Sequence, residues 1–232
     1  MLEKKELQRL FIQYPPFFYA FISLHYPLNN DHIYFLEKEL VWTLIANNEE
    51  IDFSIPLIEK YYDRLHRSDL GYNLAVNKKK EILRHFRLKP RSYWKKVYGI
   101  DDQEPKNEDY HPKIRYHNYS LIEIEQKKYD ICWANFSGNK LIKWNYQLLC
   151  KYRDFFYFGE PVKNGINSIC GSELYCNEAV PWDVKAILLF EDKLFPCNEL
   201  NLKSIVWNPT LANNLKPLLD EQMFVNVLCK LV

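Results

Sequence analysis

The chain has 232 residues, of which 47% are hydrophobic and 16% aromatic, with only 6 glycines; that is ample material for a packed core and the wrong composition for disorder. At this length a core can form without disulfides or metal. Lys plus Arg (31) nearly balances Asp plus Glu (30), leaving a net charge of +1, so no global field draws the molecule to nucleic acid or membrane and any electrostatic function is local.

The first residues, MLEKKELQRLFIQYPPFFYAFISL, set an apolar run behind two lysines, but Glu3 and Glu6 break the basic character, Pro15-Pro16 breaks the run, and no small-residue cleavage site follows. The apolar stretches are too short to span a bilayer. The expectation is a cytoplasmic protein with no membrane partner.

The most informative feature is an internal repeat. Residues 42–65 align without a gap on residues 133–156, with identities at Trp42/Trp133, Asn48/Asn139, Ile51/Ile142, Leu57/Leu148, Lys60/Lys151, Tyr61/Tyr152 and Asp63/Asp154. A third copy places Asn177, Val180, Trp182, Ile187, Phe190, Asp192 and Leu194 in the same slots, 38 residues after the second, and a weaker fourth starts at Trp207, with Leu211 and Leu215. After the aromatic of each copy stands Ser54, Asn145, Asp183 or Asn208, residue types that accept hydrogen bonds from the free amides of a helix's first turn. Pro56 and Pro209 occupy first-turn positions where a missing amide costs little.

With those four as N-caps, the aromatic before the cap and the residue four after it form a hydrophobic staple: Phe53 with Ile58, Trp144 with Leu149, Trp182 with Ile187, while Ala212 leaves the fourth incomplete. Leu57, Ile58, Tyr61 and Leu65, and likewise Leu148, Leu149, Tyr152 and Phe156, mark one buried helix face. Asn48, Asn139 and Asn177 are expected to end the preceding helices in a left-handed conformation. The tryptophans, tyrosines and asparagines of the repeat read as core and cap residues.

Units of this length built from paired helices fall in the range of solenoid repeats, although the tetratricopeptide, armadillo and HEAT motifs are absent. The pattern Trp, then Asn-x-x-aliphatic-x-Trp, then a helix with Leu-Ile-x-x-Tyr-x-Asp resembles a short tandem repeat of uncharacterised bacterial proteins, over about a third of the chain. That resemblance implies helical packing and no particular chemistry.

Residues 66–128 read as an insertion between copies one and two, and function is more often carried by such a segment than by scaffold. Within it, residues 78–96 hold nine Lys and Arg and a single acid, with Lys78, Lys79, Lys80, Arg84, Arg87, Arg91, Trp94, Lys95 and Lys96 as a candidate patch for an anionic partner. Basic side chains interleaved with Phe86, Tyr93 and Trp94 suit phosphates and stacked bases. The plainer reading is a solvated helix face neutralised by Asp101, Asp102, Glu104, Glu108 and Asp109 downstream. Residues 99–113 read as a loop, and alternation from Tyr119 to Glu125 allows one small strand or a helix start.

The six cysteines, Cys132, Cys150, Cys170, Cys176, Cys197 and Cys229, show no C-x-x-C pair and read as reduced, mostly buried thiols. His111 and His117, six apart, lack neighbours at metal-ligand spacing. No Gly-rich phosphate loop, G-x-S-x-G elbow or H-E-x-x-H helix is present, so catalytic, cofactor and metal residues are each assigned as none.

The sequence thus predicts an all-α protein, with at most one small β element, in which stacked helix pairs form a short array. The expected division is residues 1–65, the insertion 66–128, and residues 129–232, packed as one domain. The expected function is non-catalytic protein binding, of immunity- or antitoxin-like kind, with nucleic-acid binding through residues 78–96 as the alternative and an enzyme with an unrecognised site as a third reading.

Overall fold

The computed structural model describes residues 2–98, 119–158, 173–195 and 199–231, and among them all regular structure is helical. In chain order the helices are α1 (Leu2–Gln13), α2 (Pro15–His25), α3 (Asn30–Phe35), α4 (Trp42–Ile45), α5 (Ile55–Lys60), α6 (Arg67–Tyr72), α7 (Leu74–Asn77), α8 (Lys80–His85), α9 (Arg91–Tyr98), α10 (Leu121–Lys127), α11 (Trp133–Ser137), α12 (Tyr146–Lys151), α13 (Val184–Leu189), α14 (Glu191–Leu194), α15 (Glu199–Val206), α16 (Pro209–Leu215) and α17 (Glu221–Leu231). The all-α class follows. The strand allowed around residues 119–125 is instead helical, because Ser120 caps α10 and exchanges bonds with Glu123 in a capping box.

Most of these helices are only one or two turns long, too short to hold together in isolation. Their ends are set by repeated local chemistry. Ser54, Asn145 and Asp183 each accept the amide three residues on, from Leu57, Leu148 and Ala186, as their positions predict. Each such cap contributes about 1 kcal/mol. Seven residues later the three helices stop in the same backbone conformation: Tyr61 (φ −118°, ψ 20°), Tyr152 (−114°, 21°) and Phe190 (−113°, 18°).

The chain divides into two compact units, Phe18–Pro112 and Met1–Phe17 with Lys113–Val232, a partition that cuts elsewhere than at 65/66 and 128/129. In the first, Phe18, Phe21, Ile22, Ile45, Phe53 and Ile58 form the centre of the core, so the aromatic run ending at Tyr26 is interior. Asn48 is fully buried; its side-chain amide donates to the carbonyls of Ser23 (3.0 Å) and Tyr26 (2.9 Å) while its oxygen accepts from the Glu50 amide. Asn73, also buried, donates to the carbonyls of Ala46 (3.1 Å) and Asn48 (3.0 Å) and caps α7 through the Ala75 and Val76 amides. Asn77 then donates to Gly71 (2.6 Å) and Asn73 (2.8 Å).

The second unit repeats the device. Asn177 donates to the carbonyls of Ser137 (2.8 Å) and Asn139 (3.2 Å), and Asn208 to those of Tyr175 (2.9 Å) and Asn177 (3.4 Å). For Asn73, Asn177 and Asn208 alike the amide reaches the carbonyl of the preceding bridging asparagine and that of the residue two before it, whereas Asn48 reaches Ser23 and Tyr26. A primary amide with two donors and one acceptor suits this slot, since it satisfies two buried carbonyls and one buried amide at once. Around it pack Phe136, Leu149, Phe156, Trp182, Ile187 and Phe190, while α1 lies against α13 and α17.

The asparagines are therefore bridges, not left-handed helix ends. Asn177 is extended (φ −80°, ψ 109°), and among the described residues Arg87 is the only non-glycine with positive φ. Segment 66–98, read from sequence as an interruption of the repeat, is joined to copy one by the same asparagine bridge through Asn73. Two forms of the repeat exist. In the long form a separate cap follows six residues after the asparagine (48/54, 139/145, 177/183); in the short form Asn73 and Asn208 bridge and cap at once.

Candidate functional site

The basic stretch sorts into cations that hold the structure together and cations that face solvent. Lys79 pairs with Asp52 and donates to the Phe53 carbonyl at 2.6 Å. Arg91 lies 3.7 Å from Glu49 with its guanidinium 4.5 Å from the Tyr72 ring centre, and its amide donates to the Asn77 side chain. Lys78, Lys80, Arg84, Arg87 and Lys96 are exposed and their side chains have no hydrogen-bond or ion-pair partner among the described residues. Trp94 and Lys95 belong to α9, but their side chains lie outside the described residues, as do the acidic run 101–109, His111, His117, Cys170 and Cys197.

Lys80 and Arg84 are one turn apart on α8, and the helix ends just beyond them at a tight reversal. The Leu88 amide donates to the Leu83 carbonyl (2.9 Å) and the Arg87 amide to that of Arg84 (3.2 Å), the bond pair of a Schellman motif. Its left-handed position is usually glycine; here it is Arg87 at φ 50°. A side chain there costs roughly 1 kcal/mol. Two residues later the Lys89 ammonium stands 5.1 Å from the centre of the Tyr93 ring, which is 43% exposed.

A second surface lies on α10 and α12. An open cavity of about 400 Å3 is walled by Tyr119, Leu121, Ile124, Ile142 and Leu148. Of its polar rim, Ser120 caps α10 and Asn145 caps α12, and Lys143 stands beside them. Leu121, Ile122, Leu141 and Tyr146, on or beside the wall, are exposed large apolar residues.

Homologous slots of copies one and two carry different surface chemistry. Glu49 faces Arg91, while its counterpart Lys140 faces Glu178 (3.4 Å). Lys60 lies 4.1 Å from the Tyr34 ring centre, and Lys151 pairs with Glu125 (2.5 Å) in the slot of Tyr34. The Lys151 ammonium first, then the Tyr152 hydroxyl at 2.6 Å, hold the Glu125 carboxyl down to about 2.

The expected burial of the cysteines is overturned where they are described: Cys132, the extended N-cap of α11, Cys150 and Cys229 are exposed and Cys176 is half-buried, none of them in a disulfide. Among the described residues no group of His, Cys, Asp or Glu is placed to hold a metal ion, and no helix is long and apolar enough to cross a membrane. Sequence reasoning missed Asn73 as a member of the repeat; the signal was there, since 73–76 and 208–211 share the Asn-x-x-aliphatic pattern with 48–51, 139–142 and 177–180. No family model, no curated protein and no solved structure matches the chain.

Proposed function

We propose that the chain is a non-catalytic binding protein in which helix pairs, joined by buried asparagine bridges, stack into a short array whose surface takes another protein. One observation carries this reading: interior slots of the copies agree in residue type and hydrogen bonding, whereas the solvent-facing slots 34/125, 49/140 and 52/143 have diverged in charge or character. A scaffold that keeps its joints and varies its face is the behaviour of repeat proteins that recognise partners. Occluding one partner, as immunity proteins do, is the narrower form of the proposal.

The test is affinity capture of the tagged chain with and without nuclease, followed by reconstitution of any recovered protein with the purified chain and measurement of complex mass by light scattering. A complex of defined stoichiometry that survives nuclease supports the reading. Recovery that depends wholly on nucleic acid, or no reconstituted complex, overturns it.

A further inference from the structure

We propose that the α8 face of the unit Phe18–Pro112 binds single-stranded nucleic acid, with Lys78, Lys80, Arg84 and Arg87 on its phosphates and Tyr93 as a stacking surface for a base. This adds a ligand of a different class and does not depend on a protein partner.

Three observations converge on it. Of the carboxylates near the basic stretch, Asp52 pairs with Lys79, Glu49 with Arg91 and Glu59 with His85 at 2.9 Å, which leaves Glu81 of α8 as one acid beside the four proposed phosphate contacts, none of which has an ion-pair partner among the described residues, so the face keeps a net positive charge. Arg87 holds the left-handed position of a helix end that glycine would fill without strain, yet its guanidinium does nothing for the fold: it is exposed and unpartnered. A cation kept at a structurally unfavourable site, just past the helix that carries Lys80 and Arg84, is understandable where the charge meets a ligand. Finally, Tyr93 is exposed six residues past Arg87 and keeps Lys89 at its ring, the pairing of aromatic and ammonium that accepts bases without reading their sequence.

Fluorescence anisotropy of the purified full chain with a labelled single strand of about 20 nucleotides, over roughly 50 to 300 mM salt, tests the proposal. Affinity falls with salt on a log–log slope of about −2.8 for four contacts, and the triple variant Lys78→Ala/Lys80→Ala/Arg84→Ala loses about 2 of that slope. Because those three side chains are exposed and unpartnered, the variant keeps its circular dichroism and melting temperature. Tyr93→Ala weakens binding at every salt concentration with the slope unchanged. Arg87→Gly separates function from stability, raising the melting temperature while weakening binding, and Lys185→Ala in the other unit changes neither. Absence of binding at the lowest salt, a triple variant with the parent slope, or displacement of the strand by polyglutamate at equal charge concentration overturns the assignment; the last result would make the face a site for acidic protein.

Discussion

Copies one and two, residues 29–65 and 120–156, run the same local program with different exteriors. The offset that relates Trp42 to Trp133 also relates the capping boxes at Asn29 and Ser120, so the correspondence extends well upstream of the sequence match. Trp42 and Trp133 each donate their indole N–H to the carbonyl five residues earlier, Glu37 (3.1 Å) and Lys128 (2.8 Å), and each packs its ring near the tyrosine of the following helix, Tyr61 or Tyr152. Outside, Glu49 has become Lys140, Asp52 has become Lys143, and Tyr34 has become Glu125. Joints tolerate little change because each buried polar atom has one geometry that satisfies it; surface positions carry little stability and are free to diverge.

The largest expected effect comes from breaking a joint. Asn177→Asp replaces the amide that faces the Ser137 and Asn139 carbonyls with a carboxylate that cannot donate to either, and should cost about 3 to 5 kcal/mol in urea unfolding, more than Asn177→Ala at about 2 to 3. A cost under about 1 kcal/mol for both would show that the bridge does not hold the copies.

A finer probe compares two staple tryptophans. Trp144 donates its indole N–H to the Asn139 carbonyl at 2.9 Å, whereas the corresponding donor of Trp182, a residue 1% exposed, has no partner among the described residues. Substituting benzothienylalanine, which keeps the shape and removes the N–H, should destabilise at 144 and stabilise at 182, each by about 1 kcal/mol. Equal signs at the two sites would mean that the orphaned donor carries no penalty.

Acid distinguishes the copies through slot 34/125. Glu125 is depressed to about 2 in the folded chain against 4.5 for the free group, so its contribution is present above pH 4.5 and is lost as pH falls toward 2. Carbon-detected titration should find Glu125 still ionised well below the free-glutamate range, and Glu125→Gln should remove its share of the acid sensitivity in that window. Tyr34→Phe, in the equivalent slot of copy one, should leave the window unchanged.

The smallest effects should come from charge reversal at the diverged slots. Glu49→Lys and Lys140→Glu each break an exposed pair, with Arg91 and with Glu178, and should change stability by no more than about 0.5 kcal/mol, decreasing further with salt. A larger loss would make these pairs joints instead of surface.

Much of this was legible in residue order. Ser54, Asn145, Asp183 and Asn208 cap helices as their spacing predicts, and the buried faces beginning at Leu57 and Leu148 are those the helical period marks. The asparagines were seen but given the wrong task, because a short polar side chain after a helix satisfies the rule for a turn equally well. Asn73 was less visible because the short form of the repeat has no separate cap six residues after its asparagine, so its spacing differs from that of the long copies. For the basic patch, residue order gave its members but not their division, in which Lys79 and Arg91 belong to the fold and Lys78, Lys80, Arg84 and Arg87 face outward.

By itself the sequence determined the helical class, the periodic core and the helix starts, because these depend on neighbours within one or two turns. Tertiary structure alone decided that Asn48 and Asn73, or Asn139, Asn177 and Asn208, act as linked bridges, and which lysines and arginines remain without counter-charge. Those properties depend on carbonyls and carboxylates brought close from 20 to 40 residues away. A hydrogen bond or an ion pair has no address in sequence until folding supplies its second partner.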